Sequence, residues 1–446
     1  MDKLKNKLTP TQILVLGYLA VTLTGALVLS LPVSSAEGSW QSFVDALFLS
    51  VSGISTSGLS VVDISSYYSR FGQITLLAIF QIGGIGYMTF VIFVAYLLGI
   101  KLSRKTSIIA KQSLATKSYH MLGQFFVKVL IYTFTFEFIG AVILSLYWMR
   151  EFTVFESIYL GIFHSISAFC TAGFSLFPNS LMNYQTNLPV NFVINVISII
   201  GGLGFFVLAD LYNYYYQKLK KLVPRKLTLH TRLTLVITLV VMLTGSVVIL
   251  LSENWSAGIS FSEKVLMATF QSISASTTDG FNSLDIGLMS STSLTILMIL
   301  MFIGASPGST GGGMKTTTLG TLIISVKSYL QGKSSVNLFR KELPENILIE
   351  AFTVFFLFAS IALIDLIILA KTENDSYIRV LFEIISALGN TGLSTGITAN
   401  LTYTGKIVLI LTMFIGRVGP LTIGAALLVR ENKVLYKYPQ EELFIG

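Results

Sequence analysis

Four times, at intervals of about 110 residues, the chain places a Phe, a Ser four positions later and a Gly six beyond that. The copies are Phe48-Ser52-Gly58, Phe163-Ser167-Gly173, Phe270-Ser274-Gly280 and Phe382-Ser386-Gly392. Identical spacing in four copies marks duplicated units, because chance does not keep a register that long. The residue after each Gly is Leu59, Phe174, Phe281 or Leu393, and the next is Ser60, Ser175, Asn282 or Ser394. Further along each unit comes a second glycine cluster: Gly83-Gly84, Gly201-Gly202, Gly304 and Gly416. The units divide the chain into residues 1–104, 105–220, 221–335 and 336–446.

Between the repeats lie apolar runs of membrane-spanning length, about 20 residues for a ~30 Å hydrocarbon core. Eight are expected, near 13–33, 74–99, 125–149, 189–214, 233–251, 291–303 with an interrupted continuation to 325, 347–370 and 405–429. Only 12% of residues are charged and 53% are hydrophobic, against about 25% charged in a soluble domain. That excludes a disordered chain, a nucleic-acid arm and a soluble enzyme. Lys3, Lys5 and Lys7 resemble a signal-peptide start, but the following run is long and lacks a clear cleavage site, so it reads as an uncleaved first span. All but Arg70, Arg150, Lys264, Lys371, Arg379, Lys406 and Arg417 of the 30 basic residues fall in the amino terminus, 101–128, 218–232, 315–341 and the tail from Arg430. The positive-inside rule puts these segments and both termini in the cytoplasm; contact with lipid headgroups leaves that orientation unchanged. A single cysteine, Cys170, and scattered His120, His164 and His230 offer no disulfide or zinc-ligand spacing.

Each unit thus reads as a span, a short half-penetrating helix ending near a Gly, an extended segment and a second span. Extended backbone at membrane depth survives only where protein buries it or where it lines a water-filled cavity. Four such segments meeting on a pseudo-fourfold axis would line a pore together. The segments are Ser55-Thr56-Ser57-Gly58, Cys170-Thr171-Ala172-Gly173, Thr277-Thr278-Asp279-Gly280 and Gly389-Asn390-Thr391-Gly392. Glycine reaches backbone conformations closed to other residues, and rings of carbonyls replace the hydration shell of a monovalent cation. A plain turn is the alternative at any one glycine.

Here the chain resembles the Trk/Ktr/HKT superfamily of potassium transporters, most closely the membrane subunits of bacterial Ktr systems (KtrB). The resemblance covers essentially the whole chain. It implies an all-α membrane protein of eight transmembrane helices in four span-pore helix-span repeats. In that family the four glycines form the potassium filter, which assigns the role to Gly58, Gly173, Gly280 and Gly392 with their flanks Thr56, Ser57, Thr171, Ala172, Thr278, Asp279, Asn390 and Thr391. Some plant relatives carry Ser at the first position and pass sodium; Gly58 keeps the potassium-preferring pattern. With one repeated Gly per unit, the filter is shorter than that of potassium channels.

The third unit departs after Ile303, where Gly304-Ala305-Ser306-Pro307-Gly308-Ser309-Thr310-Gly311-Gly312-Gly313-Met314-Lys315 is incompatible with continuous helix. Gly308, Gly313, Lys315 and Thr316 approach a phosphate-binding loop, but Met314 is inserted and no strand precedes it. An unwound segment below a filter suits a movable obstruction, and it resembles the family's intramembrane gating loop; a passive kink is the alternative. Arg417 lies within the last span, where a charge is costly. It matches the family's arginine under the filter, where it would add an electrostatic barrier, pair with the loop's carbonyls or anchor two helices. Asp279 and Glu383 would attract cations or act as hydrogen-bonded structural carboxylates. His164 is expected only to pack.

The expected function is potassium uptake through a gated pore. No nucleotide or ion sensor is visible in the chain. The resemblance therefore implies a homodimer regulated by a cytosolic, nucleotide-binding ring of the KtrA kind. It leaves sodium activation open, and it implies no covalent cofactor, no nucleic-acid partner and no enzymatic activity. A coupled secondary transporter would need titratable groups at the midplane, where only Glu137, Asp210 and Asp365 stand. A membrane-embedded enzyme would need a nucleophile and base in one cavity, for instance around His164 and Cys170.

Overall fold

The computed structural model describes residues 10–86, 119–222, 226–420 and 422–423. The amino-terminal lysines, most of the basic 101–128 segment and the tail from Arg430 lie outside the described residues. Four long helices, α1 (Pro10–Ser30), α5 (Tyr119–Trp148), α9 (Leu229–Ser252) and α13 (Glu345–Thr372), each precede a shorter one: α2 (Phe43–Ile54), α6 (Val154–Phe169), α10 (Phe261–Thr277) and α14 (Tyr377–Gly389). At 1.5 Å per residue the short helices cover roughly 18–25 Å and stop inside a ~30 Å core. A single turn α3 (Ile64–Tyr67) and then α4 (Arg70–Ile85), α7 (Leu188–Leu203), α11 (Ser291–Ile303) and α15 (Tyr403–Val418) complete the four units, with α8 (Phe205–Leu219) and α12 (Thr316–Leu330) continuing the second and third.

Small residues set how each short helix docks. Ser50, Ser165 and Ser272, each two positions before the repeat serine, donate at 2.7 Å to the carbonyls of Thr22, Glu137 and Met242 on the long helix of the same unit. Opposite them stand Gly25, Gly140 and Gly245, where an added Cβ would strike the serine hydroxyl. In the fourth unit Ile384 takes the serine's place. The repeat residues Phe48, Phe163, Phe270 and Phe382 are fully buried, so the invariant Phe is the packing core of each short helix. By contrast, Phe138, Leu251, Phe356 and Ile367 on the long helices are exposed, an apolar outer surface that suits lipid rather than water.

Val127–Trp148, Leu229–Ser252 and Glu345–Thr372 are long and apolar enough to cross a membrane, and α7 with α8 passes the same test as a pair bent by 98°. The sequence predicts a break only in the third unit, but all four inner helices end at a positive-φ glycine: Gly86 (87°), Gly204 (93°), Gly304 (70°) and Gly419 (87°). The run expected at 189–214 is therefore not a single straight helix, while 87–99 and most of 421–429, the remainders of two other expected runs, lie outside the described residues. Apolar character continues through Gly201-Gly202-Leu203-Gly204, so hydropathy hides the bend. Among the described residues, Asn337–Leu338 pairs antiparallel with Lys341–Glu342 as a small hairpin beside the helices.

Candidate functional site

The carboxyl ends of α2, α6, α10 and α14 are built alike. The amides of Thr56, Thr171, Thr278 and Asn390 bond the carbonyls of Gly53, Ala168, Ala275 and Ala387, at 2.9, 3.1, 3.3 and 3.1 Å. The amides of Ser57, Ala172, Asp279 and Thr391 bond the repeat serine carbonyls of Ser52, Ser167, Ser274 and Ser386, at 2.7, 2.8, 2.8 and 2.9 Å. This paired pattern is a Schellman cap, which requires a left-handed residue and usually takes glycine. Here that residue is Thr56 (φ 54°), Thr171 (50°), Thr278 (58°) or Asn390 (51°). A left-handed conformation costs threonine roughly 1–2 kcal/mol, whereas Asn390 adopts it readily, and its recurrence in every quarter shows that the fold imposes it at this position.

Two residues on, Gly58, Gly173, Gly280 and Gly392 take φ of 79°, 64°, 88° and 91°. A Cβ on Gly58 would strike the carbonyl of Ala172, one on Gly173 that of Asp279, one on Gly280 that of Thr391 and one on Gly392 that of Ser57. Each quarter thus abuts the next, and the fourth returns to the first. The contacts close a ring of backbone in which only glycine fits.

The chain then turns away from the ring. Leu59, Phe174, Phe281 and Leu393 are buried. The polar residue that follows bonds the backbone two residues later: Ser175 with the Phe177 amide at 2.9 Å, Asn282 with the Leu284 carbonyl at 2.9 Å and Ser394 with the Gly396 amide at 2.9 Å, while Ser60 bonds the Val62 carbonyl. Glu383 accepts from Ser394 Oγ (2.7 Å), the Thr395 amide (2.9 Å) and Thr398 Oγ1 (2.7 Å). It is a brace for the fourth segment. His164 occupies the same position in the second unit, 3.0 Å from Ser175 Oγ and stacked on Phe177 and Phe281.

Loop 304–315 sits against the helix-cap side of the ring. Thr56 Oγ1 donates to the Thr310 carbonyl at 3.1 Å, Thr171 Oγ1 to Thr310 Oγ1 at 3.2 Å, and the Gly312 amide to Thr278 Oγ1 at 3.0 Å. Gly312 also abuts Asn390 and the Gly389 carbonyl. One short segment therefore touches all four left-handed cap residues. Its other half is an anchor: the amides of Ser306 and Thr310 bond the carbonyls of Gly202 (3.0 Å) and Gly201 (3.2 Å), and the Phe205 amide bonds the Gly308 carbonyl (2.9 Å), at the bend between α7 and α8. Two cations hold the loop's oxygens. Lys315 Nζ lies 2.7 Å from the Gly311 carbonyl and 3.2 Å from that of Gly312. Arg417 donates to the carbonyls of Thr310 in the loop and Gly83 on α4, so it both grips the loop and ties two inner helices.

A family model described as TrkH, cation transport protein, matches residues 6–434. The chain belongs to the TrkH family of cation transport proteins. The potassium/sodium uptake protein NtpJ of Enterococcus hirae is 33% identical over 453 residues, spanning 100% of this chain and 99% of that protein. The Ktr system potassium uptake protein B of Bacillus subtilis is 35% identical over 446 residues, spanning 99% and 97%. The crystal structure of the potassium transporter TrkH from Vibrio parahaemolyticus has the same fold, with a TM-score of 0.72 at 21% identity over 94% of this chain and 84% of that one.

Within this TrkH-family chain, the carboxylates expected of a coupled transporter have structural partners. Glu137 accepts from Gln81 Nε2 at 2.9 Å, Asp365 from Thr412 Oγ1 at 2.7 Å, and Asp210 from the Thr228 amide at 3.0 Å and Thr231 Oγ1 at 2.6 Å. Hydropathy and glycine spacing missed two groups. One is the Ser50, Ser165 and Ser272 docking hydroxyls, whose constant offset from the repeat serine was an available signal. The other is Ser198 on α7, which donates to Asp279 Oδ2 at 2.6 Å and has no sequence signature.

Proposed function

We propose that this protein is a potassium uptake pore of the plasma membrane, eight spans arranged pseudo-fourfold about the ring of Gly58, Gly173, Gly280 and Gly392. The cyclic approach of each glycine to the preceding residue's carbonyl in the next quarter carries this reading. Carbonyls so arranged replace the water of a dehydrated monovalent cation. The aligned carboxyl ends of α2, α6, α10 and α14 add negative potential there. Loop 304–315 is the gate, because it bonds the ring's supporting residues while its own carbonyls are held by Arg417 and Lys315. A cation leaving the ring meets the Arg417 charge until the loop moves. Relatives named as parts of a Ktr system support a multi-component assembly. In our reading this chain forms a homodimer on a cytosolic nucleotide-binding ring, with both termini cytoplasmic.

The Enterococcus relative, a potassium/sodium uptake protein, favours sodium as a second cargo or activator. The test is rubidium uptake by the purified protein in liposomes, with potassium or sodium as competitor. Uptake suppressed by potassium at concentrations where sodium has little effect is expected. Absence of ion uptake by folded protein overturns the pore, and equal competition by sodium overturns its selectivity.

A further inference from the structure

The residue just before the ring glycine is neutral in three quarters, Ser57, Ala172 and Thr391, and acidic in the third, Asp279. Asp279 is 1% exposed. Its Oδ2 accepts from Ser198 Oγ, while its Oδ1 has no hydrogen-bond partner. Ser198 Oγ also lies 2.8 Å from the Ile194 carbonyl, so its single proton is shared between two acceptors. The ion pairs among the described residues, Arg379 with Asp375 and Lys406 with Asp45, do not include Asp279. The basic side chains that bond the loop, Lys315 and Arg417, are committed to the carbonyls of Gly311, Gly312, Thr310 and Gly83. Behind the second segment the neighbouring ionisable group is the Cys170 thiol, itself beside Glu137 and Gln81.

A carboxyl buried without water gives up its proton only beside a compensating positive charge, and otherwise stays neutral. One shared hydroxyl does not supply it. The main-chain oxygen of this same residue packs on Gly173 as part of the ring, so the carboxylate stands within one residue of the position where the cation would lose its water. We propose that Asp279 is a specificity-determining residue, the fixed counter-charge of the cation held in the ring. The inference rests on the pore reading and adds to it a single off-axis negative charge supplied by one quarter alone. That charge tightens cation binding in the ring and favours divalent blockers such as barium more than potassium, because attraction scales with the ion's charge.

Asp279→Asn keeps the size and an acceptor for Ser198 while removing the charge. In liposomes, this variant is expected to raise the half-saturating rubidium concentration about tenfold or more, the scale of one charge interaction at an effective dielectric constant near 20. The maximal rate is expected to stay close to the wild-type value, and barium block to weaken more than rubidium binding. Unchanged half-saturation in monodisperse Asp279→Asn protein, or a fall in maximal rate alone, overturns the proposal and assigns the carboxylate to packing. If Asp279→Asn does not fold, Thr391→Asp places a near-isosteric charge at the matching position of the fourth quarter. It is expected to lower the half-saturating concentration, and an equal or higher value overturns the proposal. Failure of wild-type vesicles to take up rubidium would remove the pore reading itself, a result distinct from either variant outcome.

Discussion

The ring, alike in all four quarters, contrasts with the segments that follow the second and third inner helices, which differ from each other. At the ring, the caps use the same two backbone bonds and left-handed φ values between 50° and 58° in every quarter. At the inner-helix breaks, only the positive-φ glycine is shared. After it, the second quarter resumes as α8 at a 98° bend, and the third unwinds into twelve residues before α12. In the proposed pore, carbonyls that must all reach one ion would tolerate no difference between quarters, whereas an obstruction would need only one quarter to supply it. Conservation of geometry and licence to vary thus sit one helix apart in the same unit.

The comparison is sharpest at the ring itself. Gly58→Ser puts a side chain at φ 79° where a Cβ already meets the Ala172 carbonyl. It is expected to erase the preference for potassium over sodium, a change of tenfold or more given that positive-φ strain alone costs ~1–3 kcal/mol; competition flux assays check it, and retained preference would deny the ring its role. Next in size, deleting 305–313 removes bonds to only one side of the ring, so unstimulated rubidium flux is expected to rise about tenfold, the effect of releasing ~1.4 kcal/mol of closed-state stabilisation. A folded deletion that conducts less would make the loop a strut instead of a gate. Arg417→Ala, which frees the Thr310 and Gly83 carbonyls, is expected to change flux severalfold with selectivity intact; altered selectivity would move Arg417 from the variable region to the ring. The smallest effect belongs to the shared scaffold. Ser272→Ala deletes one buried hydroxyl bond to Met242 and is expected to cost about 1 kcal/mol, read as a thermal shift of a few degrees with transport unchanged.

Legibility followed the same division. The ring was readable because four copies share Phe, Ser and Gly at fixed spacing, and the loop because Pro307 and clustered glycines forbid helix. The bend at Gly204 was not readable, since its flanks are as apolar as a straight span. Left-handed Thr56, Thr171 and Thr278 were also hidden: a Schellman cap advertises itself by glycine or asparagine, and at these three positions tertiary packing imposes the conformation on a residue that resists it. Glu383 and His164 share one offset after the repeat Phe, but their common task as braces emerges only when Ser394 and Ser175 fold back onto them.

The loop's grip on all four caps follows from one polypeptide having supplied every quarter. Four identical subunits around an axis would carry four such loops, which would collide where Thr310 and Gly312 now sit, or none. Covalent fusion lets one segment of the third quarter reach every cap while the ring keeps the same glycine contact in each quarter, so on the pore reading control can be lopsided though the opening is not.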